Sequence, residues 1–334
     1  MKKTFLPFAW TLTFLIIALI LSIAIGSVFI SPVDLWRTLV AETPNPTYET
    51  ILWSIRLPRT ALIALVGAAL GGSGSAYQGL FRNPLADPYL IGVASGAGLG
   101  AVLAMSFQWP YTILGLSAVP ASAFIASLLT VLLVYLFARV RTDVPTTNLI
   151  LAGVAVSSFT GAVTSFLMLR STGELRRALG WLLGGVSLTG WPSIFALIPY
   201  LGIGLGMLVL SGHALNLLQF GDEQASQLGL DTRRARLIII IAASLITAAA
   251  VSFAGIIGFI GLIVPHVVRI LWGADYRRVI PLSIFGGASA LLLADVLARV
   301  VLAPQELPVG IVTALAGAPF FLWILRRSKR QGQW

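Results

Sequence analysis

The chain has 334 residues, of which 57% are hydrophobic and only 10% charged, with a formal net charge of +10. Soluble domains carry roughly 25% charged residues, and here the cations sit in small clusters between apolar runs, which anchors loops and does not build the contiguous surface that nucleic acid requires. Cysteine is absent, excluding disulfides, iron–sulfur clusters and thiol catalysis, and Lys2, Lys3 and Lys329 are the only lysines, none in a G-x-x-x-x-G-K-[ST] pattern, so the chain cannot hydrolyse nucleotide through a P-loop.

At about 20 residues per crossing, a chain of this length with short loops accommodates about ten helices. Apolar runs between charged and Pro/Gly-rich breaks predict helices over 5–29, 60–80, 91–107, 113–138, 147–169, 191–210, 237–253, 256–272, 280–303 and 309–325. The first run follows Met1-Lys2-Lys3 as a signal peptide would, but it is longer than the usual apolar core of one and many further spans follow, so it reads as an uncleaved helix. Segments 30–55 and 170–190 leave room for short extra helices.

On the second helix Ala64, Ala68, Gly72 and Ala76 recur every four residues, with Gly67, Gly71, Ser75 and Gly79 beside them. Gly92, Gly96 and Gly100 repeat the pattern on the third. Such stripes let backbones approach closely inside a membrane bundle. Leu57-Pro58, Ala64-Leu65 and Gly67-Ala68 match Leu307-Pro308, Ala314-Leu315 and Gly317-Ala318, a short internal echo suggestive of related halves.

Placing the N-terminus inside puts 15 Lys/Arg residues on the cytoplasmic side, Arg141 among them, and leaves seven outside: Arg37, Arg56, Arg59, Arg170, Arg176, Arg177 and Arg299. That asymmetry predicts both ends inside, which an even number of crossings also requires. Arg56 and Arg59 flank Pro58 at the outer mouth of the second helix, against the trend. They either snorkel to headgroups or seat an acidic extracytoplasmic partner.

Leu215 to Arg236 reads LNLLQFGDEQASQLGLDTRRAR and is too short and polar to span. Asp222 and Glu223 suit the positive end of a short helix, Gly229 can end it in a left-handed conformation, and Asp231 can cap the next run. Segment 215–236 is therefore expected to lie on the cytoplasmic face as a docking element. Asp295 is the only acid deep in a predicted span, with Arg299 four residues later, a pairing that lowers the cost of intramembrane charge. A proton relay at Asp295 would make the chain an ion-coupled secondary transporter, the competing class. His213 and His266 are isolated, and no His/Asp/Glu cluster suggests a metal or a catalytic site.

The run RLPRTALIALVGAALGGSGSAYQGLFRNPLADPYLIGVASGAGLGA, Arg56 to Ala101, strongly resembles the FecCD family of ABC importer permeases, which includes those for vitamin B12, ferric siderophores and haem. LILAG (149–153), GDEQASQLGL (221–230), GFIGLIVPHVVR (258–269), GGASALLLADVLAR (286–299) and ELPVGIVTALAGAPFFLWIL (306–325) extend the resemblance in order to the end of the chain. It implies an all-α membrane protein of the type II ABC importer permease fold, ten transmembrane helices per subunit, in a bacterial cytoplasmic (inner) membrane. Its implied partners are a second permease subunit, read as a homodimer, two cytoplasmic ATPase subunits, an extracytoplasmic substrate-binding protein and the lipid bilayer. No cofactor or metal is implied, and this subunit is not itself an enzyme. By resemblance, Arg56, Arg59 and Arg299 dock the binding protein, and Asp222, Glu223, Gln224, Ala225, Gln227, Leu228 and Gly229 contact the ATPase. Asn83 and Leu85 of RNPLADP, with Thr146 and Thr147, form the cytoplasmic gate; VPTTN keeps two adjacent hydroxyl residues, although its flanks differ. The expected cargo is a ferric siderophore, with vitamin B12 or haem as alternatives.

Overall fold

The computed structural model describes residues 2–26, 30–40, 46–107, 112–113, 116–140, 144–170, 174–186 and 190–330. The far end of the span expected over 5–29 falls on 27–29, and Arg141 on 141–143, outside the described residues. In chain order α1 (Lys2–Ala24), α2 (Pro32–Val40) and α3 (Pro46–Thr50) lead through a π-helical turn (Ile51–Arg56) into α4 (Leu57–Leu80). Next come α5 (Val93–Ser106), the two-residue strands β1 (Thr112–Ile113) and β2 (Leu116–Ser117), α6 (Ala118–Ala138), α7 (Thr146–Arg170) and α8 (Leu175–Leu182). α9 (Trp191–Leu210), α10 (Gly212–Leu218) and α11 (Asp222–Gln227) precede α12 (Thr232–Ala254), α13 (Ile260–Trp272), α14 (Tyr276–Val300) and α15 (Val309–Arg330).

Among the described residues seven helical stretches are long and apolar enough to cross a membrane, and three shorter apolar helices, Val93–Ser106, Ile260–Trp272 and Val309–Trp323, join them. α4 is the hub. It packs against α14, α12, α13 and α9, and nearly every residue from Leu62 to Leu80 is buried. Burial separates centre from rim: 72% of the apolar window of α12 and 61% of that of α14 is buried, against 22% for α1 and for α7. The rim helices instead expose Trp10, Phe14, Leu151, Phe159 and Phe195, as lipid-facing surfaces do.

The glycine stripe explains how α4 is surrounded. A Cβ at Gly67 would overlap the Gly287 carbonyl of α14, one at Gly71 the Ser283 carbonyl, and one at Gly287 the Gly67 carbonyl. The two backbones touch, so dispersion between them replaces the hydrophobic drive that lipid cannot supply. Gly96 and Gly100 admit α6 onto α5 in the same way, at Thr130, Ala126 and Ser122.

Three of the boundaries that differ from the sequence expectation have reasons visible in the structure. The helix expected from 60 is continuous from Pro46 to Leu80. Pro58 lacks the N–H that would close an ordinary turn, and the preceding π turn absorbs the mismatch, with the Leu57 N–H reaching back to the Leu52 carbonyl. Its counterpart Pro308 immediately precedes α15, so the echoed dipeptides enter their helices differently. Thr112 pairs with Ser117 and Ile113 with Leu116 in an antiparallel ladder, so the helix expected from 113 starts only at Ala118. The helix expected from 256 starts at Ile260, because Gly255 (φ 71°) and Phe259 (φ 70°) turn the chain out of α12.

α5 and α13 have 14 and 13 residues, so at 1.5 Å per residue each covers only about 20 Å of a core about 30 Å thick. Non-helical chain, 81–92 and 255–259, precedes each. Such backbone survives at membrane depth only when protein satisfies it. Here the breaks satisfy one another: the Tyr89 hydroxyl donates to the Ile257 carbonyl at 2.8 Å and accepts from its N–H at 3.2 Å.

Candidate functional site

The residues singled out by sequence gather at two places, one at the α1/α4/α14 end and one where α4, α7, α11 and α12 meet. At the first, α1 ends at Ala24 and leaves carbonyls without intrahelical donors. Arg56 Nη1 donates to the carbonyls of Ile23 (2.9 Å) and Ala24 (3.0 Å). Arg299 Nη2 donates to the Ser22 carbonyl and its Oγ, both at 3.1 Å, and Ser22 Oγ lies 2.9 Å from Thr60 Oγ1. Two guanidiniums thus cap one helix C-terminus, where the macrodipole favours cations.

Asp295, fully buried, binds this cluster together. Arg59 Nε and Nη2 donate to its Oδ1 at 3.0 and 2.9 Å, and Arg299 Nε lies 3.0 Å from its Oδ2. Arg59 Nη1 also donates to Glu306 Oε2 at 2.5 Å. The i,i+4 pair read from the sequence is therefore half of a larger network, and the α14–α15 connection supplies a second acid that sequence reasoning missed. Arg56, Arg59 and Arg299 do come together, but they turn inward. Arg56 is 4% exposed, Arg299 3% and the Arg59 side chain 11%, while Glu306 is the accessible member at 39%. An open seat of three arginines is not what this conformation presents.

At the second place, Gly221 (φ 102°) turns the chain into α11, with Asp222 and Glu223 in its first turn. The helix ends where Leu230 N–H reaches the Ala225 carbonyl (3.0 Å) and Gly229 N–H the Ser226 carbonyl (2.9 Å), a pair of bonds that requires the left-handed Gly229 (φ 86°). Asp231 then caps α12 by accepting from Arg234 N–H at 3.0 Å. Glu223, Gln224, Gln227, Leu228 and Gly229 face outward, Leu228 with 61% of its surface, whereas Ala225 is buried against the body. Asp222, its side chain 51% exposed, pairs with Arg236 at 2.5 Å.

α10 fixes this segment to the bundle. Gln219 Nε2 donates to the Gly79 carbonyl at the end of α4 (2.9 Å). Asn216 donates to Asp275 Oδ1 (2.6 Å) and accepts from Tyr276 N–H (2.8 Å). The Arg277 guanidinium at 3.1 Å and the Asn216 amide hold the Asp275 carboxyl down at about 2. Of the gate residues, Asn83 and Thr147 are exposed and Leu85 and Thr146 half-buried. Asn83 Oδ1 accepts from Leu85 N–H at 2.9 Å, and Thr146 Oγ1 lies 3.5 Å from Arg236 Nη1. α4 ends just before them with Arg82 at φ 49°, a left-handed residue that nothing in the side-chain type announced. Among the described residues no group of three His, Asp or Glu could hold a metal.

Comparison with known proteins identifies the family of the chain. The FecCD transport family matches residues 14–327. A permease of Bacillus subtilis, YvrB, described as an uncharacterized ABC transporter permease protein, is 41% identical over 96% of this chain and 93% of its own length. The hemin transport system permease HmuU of Yersinia pestis is 40% identical over 96% of both chains. The cobalamin import system permease BtuC of Halobacterium salinarum is 45% identical over 84% of this chain and 74% of its own. Among solved structures, a metal-chelate type ABC transporter in an inward-facing conformation superposes with a TM-score of 0.85 and 30% identity, over 96% of this chain and 99% of that one. PsaBC from Streptococcus pneumoniae, at 18% identity and a TM-score of 0.56, shares the fold. The chain belongs to the FecCD transport family, the multi-pass membrane permeases of ABC importers whose ATPase is a separate subunit.

Proposed function

We propose that this chain is the permease of an ATP-driven importer that carries a metal chelate, first an iron chelate of the ferric siderophore type, across a bacterial cytoplasmic membrane with both termini inside. The observation that carries the reading is the whole-length superposition on a metal-chelate type transporter, joined to the capped, outward-facing α11. The haem and cobalamin named for two relatives are metal chelates too, and they stand as the alternative cargoes. The chain acts as one permease domain whose segment 215–236 couples to two ATPase subunits through Glu223, Gln224, Gln227, Leu228 and Gly229. Two copies flank the path, and Asn83, Leu85, Thr146 and Thr147 close its cytoplasmic end.

An extracytoplasmic binding protein docks by an acidic residue at the arginine cluster. Since Arg56 and Arg299 cap α1, the contact forms first at Arg59, whose bond to the half-exposed Glu306 is the one an incoming carboxylate can replace. Ion coupling through Asp295 finds no support, because its carboxylate is shared by Arg59 and Arg299. The reading is tested by reconstituting the chain with its ATPase and binding protein in vesicles and following uptake of radioactive iron as a chelate. Uptake that needs ATP and fails with Glu223→Arg supports it. Concentrative uptake by the chain alone overturns it.

A further inference from the structure

Where α11 meets the gate threonines, the structure leaves a cleft of about 280 Å³ lined by Leu80, Tyr135, Thr146, Asp222, Arg236 and Ile240. The three arginines that open α12 do not behave alike. Arg233 and Arg234 are exposed, and Arg234 is held by its own cap residue Asp231, a surface pair that contributes little. Arg236 is turned inward, its side chain 16% exposed. Its Nη2 donates to Asp222 Oδ1 at 2.5 Å and its Nη1 reaches Thr146 Oγ1 at 3.5 Å. One planar guanidinium therefore joins α12 to the first residue of α11 and the first residue of α7, 14 and 90 residues away in the chain.

Two further facts mark this contact as more than anchoring. Among the described residues, Asp222 is the only residue of α11 whose side chain makes a hydrogen bond, and α11 otherwise rests on the body through the buried methyl of Ala225. In addition, Arg236 Nε is sealed from solvent with no acceptor among the described residues, a costly arrangement for a group that served only to hold a helix end. The rigid fork of Arg can span two acceptors at fixed separation, which the single ammonium of Lys cannot.

We propose that Arg236 is the tie through which displacement of α11 reaches the gate. It is a positioning residue: pulling on Asp222 loads the same guanidinium that holds Thr146, and the cleft beside it leaves room for the shift. This rests on the reading of α11 as the ATPase contact and of Thr146 and Thr147 as the gate. A tie of this kind transmits only if the contacts differ between the two states of the transporter.

The absence of cysteine allows a direct test. A Thr147→Cys reporter, in the complex with its ATPase subunits in lipid nanodiscs, is labelled with a hydrophilic maleimide without nucleotide and after trapping with ATP and vanadate. In the parent the two rates differ. Arg236→Lys is expected to shrink that ratio by about fivefold or more, the low end of allosteric coupling, while ATP hydrolysis continues, a separation that a misfolded chain would not give. The exchanged pair Asp222→Arg with Arg236→Asp is expected to recover part of the ratio. If Arg236→Lys fails to assemble with the ATPase, Asp222→Asn, which leaves α12 intact, is read in its place. A ratio retained in Arg236→Lys, or in Asp222→Asn when that variant stands in, overturns the tie alone; a parent whose rates do not differ overturns the gate reading and the tie with it.

Discussion

The two charged regions of this chain solve opposite problems. Around Asp295, three arginines and two acids are packed among α1, α4, α14 and the connection to α15, and they answer one another and the end of α1. Around α11, the charges of Glu223, Arg233 and Arg234 lie exposed, and one ion pair, between the half-exposed Asp222 and the inward-turned Arg236, ties the helix to the body. Burial makes the difference. A sealed charge must keep its partner, whereas an exposed one is free to meet another molecule.

Removing Asp295 is the strongest way to break this contrast. Asp295→Ala leaves Arg59 and Arg299 without their shared counter-ion inside the protein, and the expected cost is about 3–5 kcal/mol, read as loss of folded protein in detergent unfolding. A variant as stable as the parent would show that water reaches the cluster. Gly67→Leu comes next. Its side chain must enter the Gly287 backbone, and overpacking of this kind costs about 1–3 kcal/mol or more, measured as a lowered midpoint of thermal unfolding.

At the other region the expected effects on folding are smaller and those on assembly larger. Gly229→Ala forces a Cβ onto a left-handed residue, at about 1–2 kcal/mol, and should appear as faster amide exchange confined to 222–230. Leu228→Ala removes an exposed side chain, so stability should hold within about 0.5 kcal/mol while capture of the ATPase weakens; unchanged capture would remove Leu228 from the interface. The smallest effect concerns pH. The Asp275 carboxyl is held at about 2 in the folded chain, below its ordinary 3.8, chiefly by Arg277. Its contribution is therefore complete above pH 3.8 and is lost as pH falls toward 2. Asp275→Asn should lower the thermal midpoint slightly above pH 3.8 and flatten its acid limb, the two chains converging as pH falls toward 2.

Much of this arrangement was legible in the chain itself. The spacing of Gly67 and Gly71 announced a close helix contact, and Gly229 and Asp231 announced where α11 stops and α12 starts, because capping is decided within a turn. Other features left no trace at that range. The start of α13 was misplaced because the turn at 255–259 depends on Tyr89, 168 residues away, to satisfy its backbone. Arg56 and Arg299 read as outward-facing for the same reason: nothing near them in sequence shows that α1 ends beside them.

By itself, the sequence determined that this is a bundle of apolar helices with no P-loop lysine and with a short polar helix between two spans. Composition and local periodicity suffice for such features. Only the tertiary structure decided which arginine faces which carboxylate. Arg59 and Asp295 are separated by 236 residues, Arg59 and Glu306 by 247, and Arg236 and Thr146 by 90. Pairings of that reach follow from how whole helices pack, and the repeat of a single helix carries no information about them.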